Sequence, residues 1–207
     1  MSSLEDVPPS LDNSIHTVLK TNFHPDYKYD DEIMSEIVVG MGCFWGAEKL
    51  FWDKMPNEDI FSTSVGYSGG VDGETSYKAV CSGRTGHIEV VRLVYRKKSL
   101  KTLLKLFWEN HDPLQWNRQG EDIGSHFRSA IFCSSEEQLK IAIESRESIE
   151  KEMANRGILK KTKTEISIIR NFYLAELYHQ QYLDKNPFGY CGLKGKPMSL
   201  PACVCCL

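Results

Sequence analysis

Short apolar runs, separated by glycine, proline and polar clusters, predict strands and helices that alternate along most of the chain. Runs rich in β-branched and aromatic residues predict strands, because such side chains suit a pleated and partly buried surface. The run at 88–95 gives the strongest of these signals. We expect strands at residues 37–39, 60–67, 88–95, 127–133 and 165–169.

Capping residues and apolar positions at helical spacing predict the helices. Ser99 is expected to cap a helix whose apolar residues recur three and four positions apart. Ser134 with Glu137 forms a capping box at the start of a long charged helix. We expect helices at residues 47–52, 100–108, 134–157 and 172–184, with a long loop at 110–125.

The pattern divides the chain into three zones. Prolines and aspartates interrupt residues 1–35, which predicts an irregular extension. Residues 36–185 carry the alternating elements and predict one folded domain, of α/β or α+β class with a mixed sheet. Residues 186–207 hold three glycines, three prolines and four cysteines without periodicity, so we expect an irregular, mobile tail.

Composition narrows the class of protein. A net charge of −3 over 207 residues argues against a nucleic-acid-binding footprint. No apolar run approaches the roughly 18 residues of a membrane span. The first ten residues have neither the basic start nor the apolar stretch of a signal peptide, so we expect a cytoplasmic protein. The near-neutral charge, without a coiled-coil pattern, favours a monomer.

Seven cysteines are the unusual feature of the composition. An odd number cannot pair completely within one chain, and a chain of this length does not need a disulfide framework. In a reducing compartment these thiols serve as core residues, metal ligands or redox groups. They lie at positions 43, 81, 133, 191, 203, 205 and 206.

Cys43 has the most informative position, between a predicted strand and a predicted helix. Unpaired N–H groups and the dipole at a helix N-terminus favour a thiolate, so we expect a lowered thiol pKa. A small buried residue in a tight turn is the alternative. Glycines at 42 and 46 permit a close approach, and two adjacent aromatic residues, Phe44 and Trp45, exceed what packing in a turn requires.

Several motifs now add up to a family resemblance. The segment Gly42-Cys43-Phe44-Trp45-Gly46 resembles the signature of the A-type peptide-methionine sulfoxide reductases, and further family motifs follow in the family's order. The resemblance covers about residues 36–192. The further motifs lie at residues 66–70, 77, 80–89, 107–113, 118–122, 128–131, 179–183 and 186–192.

The resemblance implies a fold and a reaction. The fold is a two-layer sandwich around a mixed sheet with a ferredoxin-like core, and the reaction reduces methionine-S-sulfoxide, free or in oxidised proteins, to methionine. Cys43 matches the nucleophile, which becomes a sulfenic acid. Glu89 matches the acid, and partial burial would keep it protonated near neutral pH.

Other site residues follow from the same resemblance. Tyr77 matches a donor to the sulfoxide oxygen, and Asp122 a carboxylate that binds the peptide or orients water. Phe44 and Trp45 match the methyl pocket, although core packing is their alternative reading. Tyr190 joins the substrate-binding residues. The chain departs from the family at Phe127, where a second tyrosine is common, so one hydrogen bond to the sulfoxide is missing.

Recycling the enzyme requires further thiols. Cys191 matches the family's first resolving cysteine, and a tail cysteine then moves the disulfide to the surface, where thioredoxin reduces it. The sequence leaves open which of Cys203, Cys205 and Cys206 does so. A four-thiolate zinc site is a rival reading with an unfavourably tight spacing, and a prenyl anchor lacks its cysteine four residues from the end.

The remaining candidate groups are expected to be structural. Cys81 and Cys133 are predicted to be buried and inert. The histidines at 87, 111 and 179 are predicted to make structural hydrogen bonds, and the aromatic residues at 52, 107 and 108 to fill the core. Two rival functions remain. One is a thiol peroxidase or disulfide exchanger that uses the same Cys43 and Cys191, and the other is a non-catalytic module whose tail binds a metal or a partner.

Overall fold

The computed structural model describes residues 7–73 and 75–193, which form a mixed sheet with its main helices packed on one face. The strands, in chain order, are β1 (Met34–Met41), β2 (Ile60–Ser68), β3 (Ile88–Arg96), β4 (Arg118–Gln119), β5 (Asp122–Ile123), β6 (Ser129–Cys133), β7 (Glu165–Ile168) and β8 (Tyr173–Leu174). The helices are α1 (Phe44–Lys54), α2 (Tyr77–Cys81), α3 (Leu100–Glu109), α4 (Glu136–Asn155) and α5 (Tyr182–Lys185).

Six strands form the central sheet in the order β7-β6-β1-β3-β2-β8. The β6–β7 pair is parallel and the other neighbours are antiparallel, so the predicted mixed sheet of an α/β fold is confirmed. β4 and β5 pair separately as a small hairpin in the long loop.

Strand alternation decides which side chains meet the helices. Successive side chains of a strand point to opposite faces. On β3, Val91 and Leu93 join the large core shared with α1, α3 and α4, whereas Ile88 and Val90 join a small cluster on the other face. Glu89 has the same parity as Val91, so it projects from the helix-covered face, at the end of the strand nearest α1.

Two capping predictions differ from the structure. Ser135, and not Ser134, caps α4 by accepting a hydrogen bond from the Gln138 backbone N–H. The Ser134 hydroxyl instead donates to the Glu36 carbonyl in β1. Ser99 precedes α3, but its side chain makes no capping bond. A serine near a helix start can serve either the helix or a neighbouring element, and spacing alone does not distinguish these roles.

The predicted helix at 172–184 is wrong. The segment contains β8, a 3₁₀ turn at Leu177–His179 and the single turn α5. The Gln180 side chain pairs with the Val65 backbone of β2, and Gln181 adopts left-handed backbone angles. These tertiary hydrogen bonds replace the helical ones.

Phe127 lies in a 3₁₀ turn (Ser125–Phe127) before β6, rather than in the strand predicted from residue 127. Residues 7–33 are largely irregular, with a 3₁₀ turn at Leu11–Asn13, yet His16 and Phe23 are fully buried against the domain. Within the described ranges, no helix has both the length and the apolar character that crossing a membrane requires.

Candidate active site

Cys43 occupies the turn between β1 and α1, as the strand–turn–helix pattern predicts. Gly42 provides the turn with a φ of 87°, in the left-handed region that favours glycine. Cys43 is the N-cap of α1, and its side chain makes no capping hydrogen bond. The side chain is 7% exposed, so the thiol lies at the bottom of a depression rather than on the surface.

The expected lowering of the thiol pKa is wrong. Burial raises the pKa of Cys43 far above its usual value, and the nearby carboxyl of Glu89 raises it further. The N–H groups of Trp45 and Gly46 act in the opposite direction, but their effect is smaller. Desolvation of the thiolate therefore changes the thiol pKa more than the helix N-terminus does, and the free site holds a protonated thiol.

Glu89 stands beside this thiol and is itself protonated at neutral pH. It is 2% exposed, and burial raises the pKa of its carboxyl to about 8. The Phe44 backbone N–H donates to Oε2 over 3.0 Å and lowers this value, while Asp122 raises it. Because Oε2 accepts that bond, the proton of the neutral acid lies on Oε1.

Phe44 and Trp45 form an aromatic wall with His179, which precedes α5, and Tyr182, the first residue of α5. The Trp45 indole stacks on Tyr182 with centroids 3.8 Å apart, and its Nε1–H donates to His179 Nδ1 over 3.1 Å. The His179 ring also contacts Phe44, with centroids 4.9 Å apart, and Tyr77 at 4.7 Å. The wall is therefore held in place both by stacking and by a hydrogen bond at its polar edge.

Eight of the predicted site residues meet in one small cavity. It has a volume of about 100 Å³, which suits a methyl sulfoxide group better than a large ligand. Six separate chain segments contribute to it, so only the tertiary fold brings the side chains together. Its lining consists of Cys43, Phe44, Trp45, Tyr77, Glu89, Asp122, Phe127 and Tyr190.

Asp122 and Tyr190 close one side of this cavity. The Tyr190 hydroxyl donates to Asp122 Oδ1 over 2.9 Å. Asp122 Oδ2 is buried and has no hydrogen-bond partner among the described residues. A buried acceptor without a partner costs free energy, so this oxygen is available to a donor group of a ligand.

Cys191 lies against the N-terminal turn of α1. A Cβ added to Gly46 would lie 3.0 Å from the Cys191 sulfur, so any larger residue there would press on the Cys191 side chain. A Cβ added to Gly192 would lie 3.4 Å from Cys43 Cβ. Cys191 thus neighbours Cys43 as a free, partly exposed thiol. The predicted tail residues, Cys203, Cys205 and Cys206, lie outside the described residues.

The other thiols follow the predictions only in part. Cys133 is buried, as expected, but Cys81 is exposed at the end of α2, so its predicted burial is wrong. Burial raises the pKa of its thiol, and the Tyr77 hydroxyl one turn earlier lowers it. Across residues 7–73 and 75–193, no three His, Cys, Asp or Glu side chains form a group that could hold a metal ion.

Three histidines make the structural hydrogen bonds predicted for them. His87 accepts from the Gly70 N–H and contacts the Val71 carbonyl, and His179 accepts from Trp45. His111 bridges the end of α3 to Ser129 of β6. Burial lowers the pKa of both His111 and His179 to about 4, which keeps them neutral.

Glu176 is a site residue that the sequence reasoning missed. Its Oε1 accepts from the Tyr77 backbone N–H and its Oε2 from the Tyr67 hydroxyl, over 2.9 and 2.8 Å. It therefore fixes the start of α2 against β2 and, with it, the position of Tyr77. The sequence carries no spacing signal for this role, because the partners lie about 100 residues away.

The comparisons with known proteins match this fold and site, and together they define an oxidoreductase. The family model "Peptide methionine sulfoxide reductase" matches residues 35–201. The chain belongs to this family and reduces methionine sulfoxide. It is 46% identical over 192 residues to the peptide methionine sulfoxide reductase MsrA of Photobacterium profundum, covering 91% of this chain and 86% of the relative.

Solved structures show the same architecture. The reduced form of Mxr1 from Saccharomyces cerevisiae has a TM-score of 0.73 and 37% identity, over 84% of this chain and 97% of that one. Mxr1 in complex with Trx2 has a TM-score of 0.52 and 26% identity, over 76% of this chain and 91% of that one.

Proposed function

We propose that the chain reduces methionine-S-sulfoxide through a sulfenic acid at Cys43. The observation that carries this proposal is the cavity that unites a buried thiol, a protonated carboxyl and an aromatic wall. A sulfoxide requires each of these groups: a soft nucleophile for sulfur, a proton for oxygen and an apolar surface for the methyl group.

In this proposal, the enzyme activates the sulfoxide substrate. With the pKa of Cys43 raised and that of Glu89 at about 8, both groups begin protonated. Glu89 Oε1 donates its proton to the sulfoxide oxygen, which makes the sulfur electrophilic. Cys43 attacks as its own proton leaves to the Glu89 carboxylate. The oxygen passes to Cys43 as a sulfenic acid, so the cysteine is oxidised by two electrons and the sulfoxide is reduced to methionine.

The remaining cavity residues bind and orient the substrate. Tyr77 donates a hydrogen bond to the sulfoxide oxygen, and Phe44 with Trp45 receives the methyl group. Asp122 Oδ2, buried without a partner among the described residues, accepts an N–H of the substrate backbone. Phe127 lines the cavity without a hydroxyl, so Tyr77 and Glu89 carry the oxygen contacts without a second tyrosine.

Cys191 resolves the sulfenic acid. Its thiol attacks the Cys43 sulfur, a disulfide forms, and the oxygen leaves as water. The contact between the Cys191 segment and the N-terminal turn of α1 supports this step. One of Cys203, Cys205 and Cys206 then exchanges with the disulfide and carries it to the tail.

Thioredoxin is the proposed external reductant, and oxidised proteins are the proposed substrates of a repair activity under oxidative stress. The structural likeness to Mxr1 in complex with Trx2 supports a thioredoxin partner. Transient disulfides of this kind operate in a reducing compartment such as the cytoplasm.

Turnover without an external reductant tests the mechanism. The wild-type chain should release more than one methionine per molecule, Cys191→Ser about one, and Cys43→Ser none. A sulfenic acid should be trappable at Cys43 in Cys191→Ser. Cys133→Ala, which removes a buried thiol outside the cavity lining, is the control and should match the wild type. Methionine release by Cys43→Ser would overturn the proposal.

A further inference from the structure

A buried polar cluster lies behind the aromatic wall, and no proposed step of the reaction uses it. This Glu48 cluster consists of His16 from the N-terminal segment, Glu48 from α1, Thr63 from β2 and Gln181 before α5. All four residues are 1% exposed or less. Burial raises the pKa of Glu48 to about 7, and keeping such a group in the core requires hydrogen bonds.

Glu48 is the centre of the cluster and accepts three hydrogen bonds. Oε1 accepts from the Thr63 hydroxyl and from Gln181 Nε2, each over 2.9 Å. Oε2 accepts from the Gln181 backbone N–H, also over 2.9 Å. Two of the three bonds therefore hold Gln181, which is 133 residues away in the sequence.

His16 completes the cluster with a defined proton position. The Thr63 hydroxyl gives its hydrogen to Glu48, so it accepts from His16 Nε2–H over 2.8 Å. His16 Nδ1 accepts from the backbone N–H groups of Val18 and Leu19. The ring is neutral, since burial lowers its pKa to about 3. His16 lies before residue 35, where the match to the family model begins.

Gln181 connects the cluster to the aromatic wall. Its backbone has φ 48° and ψ 42°, a left-handed conformation that is unfavourable for a residue other than glycine. Two residues close to it in the chain, His179 and Tyr182, make the hydrogen bond and the stacking contact with Trp45. A relaxed turn at Gln181 would therefore shift both contacts.

We propose that Glu48 is a positioning residue for substrate binding: its carboxylate holds the strained Gln181 turn, so that His179 and Tyr182 clamp Trp45 in the methyl-binding orientation. This inference rests on the proposed role of Trp45 in the methyl pocket. It adds the N-terminal segment to the machinery of the site, because His16 orients the carboxylate through the Thr63 hydroxyl.

Two substitutions at position 48 separate positioning from mere filling of the core. Glu48→Leu fills the space but leaves the Gln181 N–H without an acceptor, whereas Glu48→Gln retains one oxygen for it. We expect Glu48→Leu, which removes both hydrogen bonds to Gln181, to raise KM for methionine sulfoxide about three- to ten-fold. Glu48→Gln should restore KM to within about two-fold of the wild type.

The assay uses the full chain with a dithiol reductant and reports KM and kcat separately. Ser145→Ala is the matched control. It removes the acceptor of a buried N–H, the Trp108 Nε1–H, on another side of the core. An NMR measurement follows exchange of the Trp45 indole N–H, assigned by its absence in Trp45→Phe. That exchange should accelerate in Glu48→Leu, and not in Glu48→Gln or Ser145→Ala.

The outcomes separate this inference from the proposed function. An unchanged KM in Trp45→Phe would refute the methyl pocket itself. A raised KM in Trp45→Phe with an unchanged KM in Glu48→Leu would refute the positioning role alone. If Glu48→Leu fails to fold, the isosteric Thr63→Val removes one of the three bonds to the carboxylate. It should raise KM about two-fold, and an unchanged value would overturn the inference.

Discussion

Replacing Glu89 by glutamine isolates the proton donor. The glutamine side chain is similar in shape to glutamate, and its amide oxygen could still accept the hydrogen bond that the Phe44 N–H gives to Glu89. The amide cannot deliver a proton to the sulfoxide oxygen. General acid catalysis contributes about 10²- to 10⁴-fold to a rate, so we expect Glu89→Gln to slow the first turnover by that factor.

The pH dependence gives a sharper measure than the loss of rate. With a pKa of about 8, Glu89 is protonated in about nine-tenths of molecules at pH 7 and in about one-tenth at pH 9. The wild-type rate of sulfoxide reduction should therefore fall about ten-fold between these pH values. The rate of Glu89→Gln should not fall, because its amide does not titrate.

Rapid-quench measurements of methionine release in the first turnover, at saturating substrate, report this step without recycling. A preformed thiolate at Cys43 predicts instead that the rate rises with pH, since the thiolate population grows as pH rises. A wild-type rate that increases from pH 7 to pH 9 would refute the acid mechanism. A ten-fold fall that persists in Glu89→Gln would show that another group donates the proton.

The same carboxyl makes folding stability depend on pH. The pKa of Glu89 is higher in the folded chain than the reference 4.5, so the folded state binds more protons between pH 4.5 and about 8. Wild-type stability therefore falls as pH rises through that window. A pKa shift of one unit corresponds to about 1.36 kcal/mol. The free energy of unfolding of Glu89→Gln, minus that of the wild type, should therefore increase by about 5 kcal/mol from pH 4 to pH 9. Denaturant unfolding at both pH values measures it, and a constant difference would contradict the burial argument.

Three further substitutions test other parts of the site. Phe127→Tyr supplies a hydroxyl to the cavity and should speed the first turnover about five-fold, the effect of one added hydrogen bond; an unchanged rate would show that the oxygen contacts are already complete. Gly46→Ala places a methyl group against the Cys191 sulfur, which lies 3.0 Å from the added Cβ. It should slow disulfide formation while sparing the first methionine, and equal slowing of both would argue against a resolving role. Tyr190→Phe removes the bond to Asp122, and amide exchange should accelerate at residues 189–193, with α4 as the internal reference; unchanged exchange would mean that the bond does not anchor this segment.

The sequence predicted those elements whose apolar pattern is local. β2 and β3 begin at the residues expected from their β-branched runs, and α3 follows its apolar spacing. The pattern failed at residues 172–184, where distant partners satisfy the backbone. Gln180 and Gln181 bond to β2 and to Glu48, and no local spacing records those partners.

The sequence predicted which types of residue form the site, but not the direction of the Cys43 pKa shift. A cysteine after a strand and before a helix indicated the nucleophile's position, and the motif around Glu89 indicated an acid. The sign of the Cys43 pKa shift was wrong, because the sequence shows the helix terminus and does not show the burial that opposes it. The exposure of Cys81 was missed for the same reason.

By itself, the sequence determined the order of most strands and helices, the turn that carries Cys43 and the family to which the chain belongs. These properties depend on neighbouring residues and on motifs that are contiguous in the chain. Only the tertiary structure decided that Asp122 and Tyr190 close the same cavity as Glu89, and that Glu48 reaches Gln181. Desolvation and hydrogen bonding depend on what surrounds a group in space, and here much of that surrounding comes from remote parts of the chain.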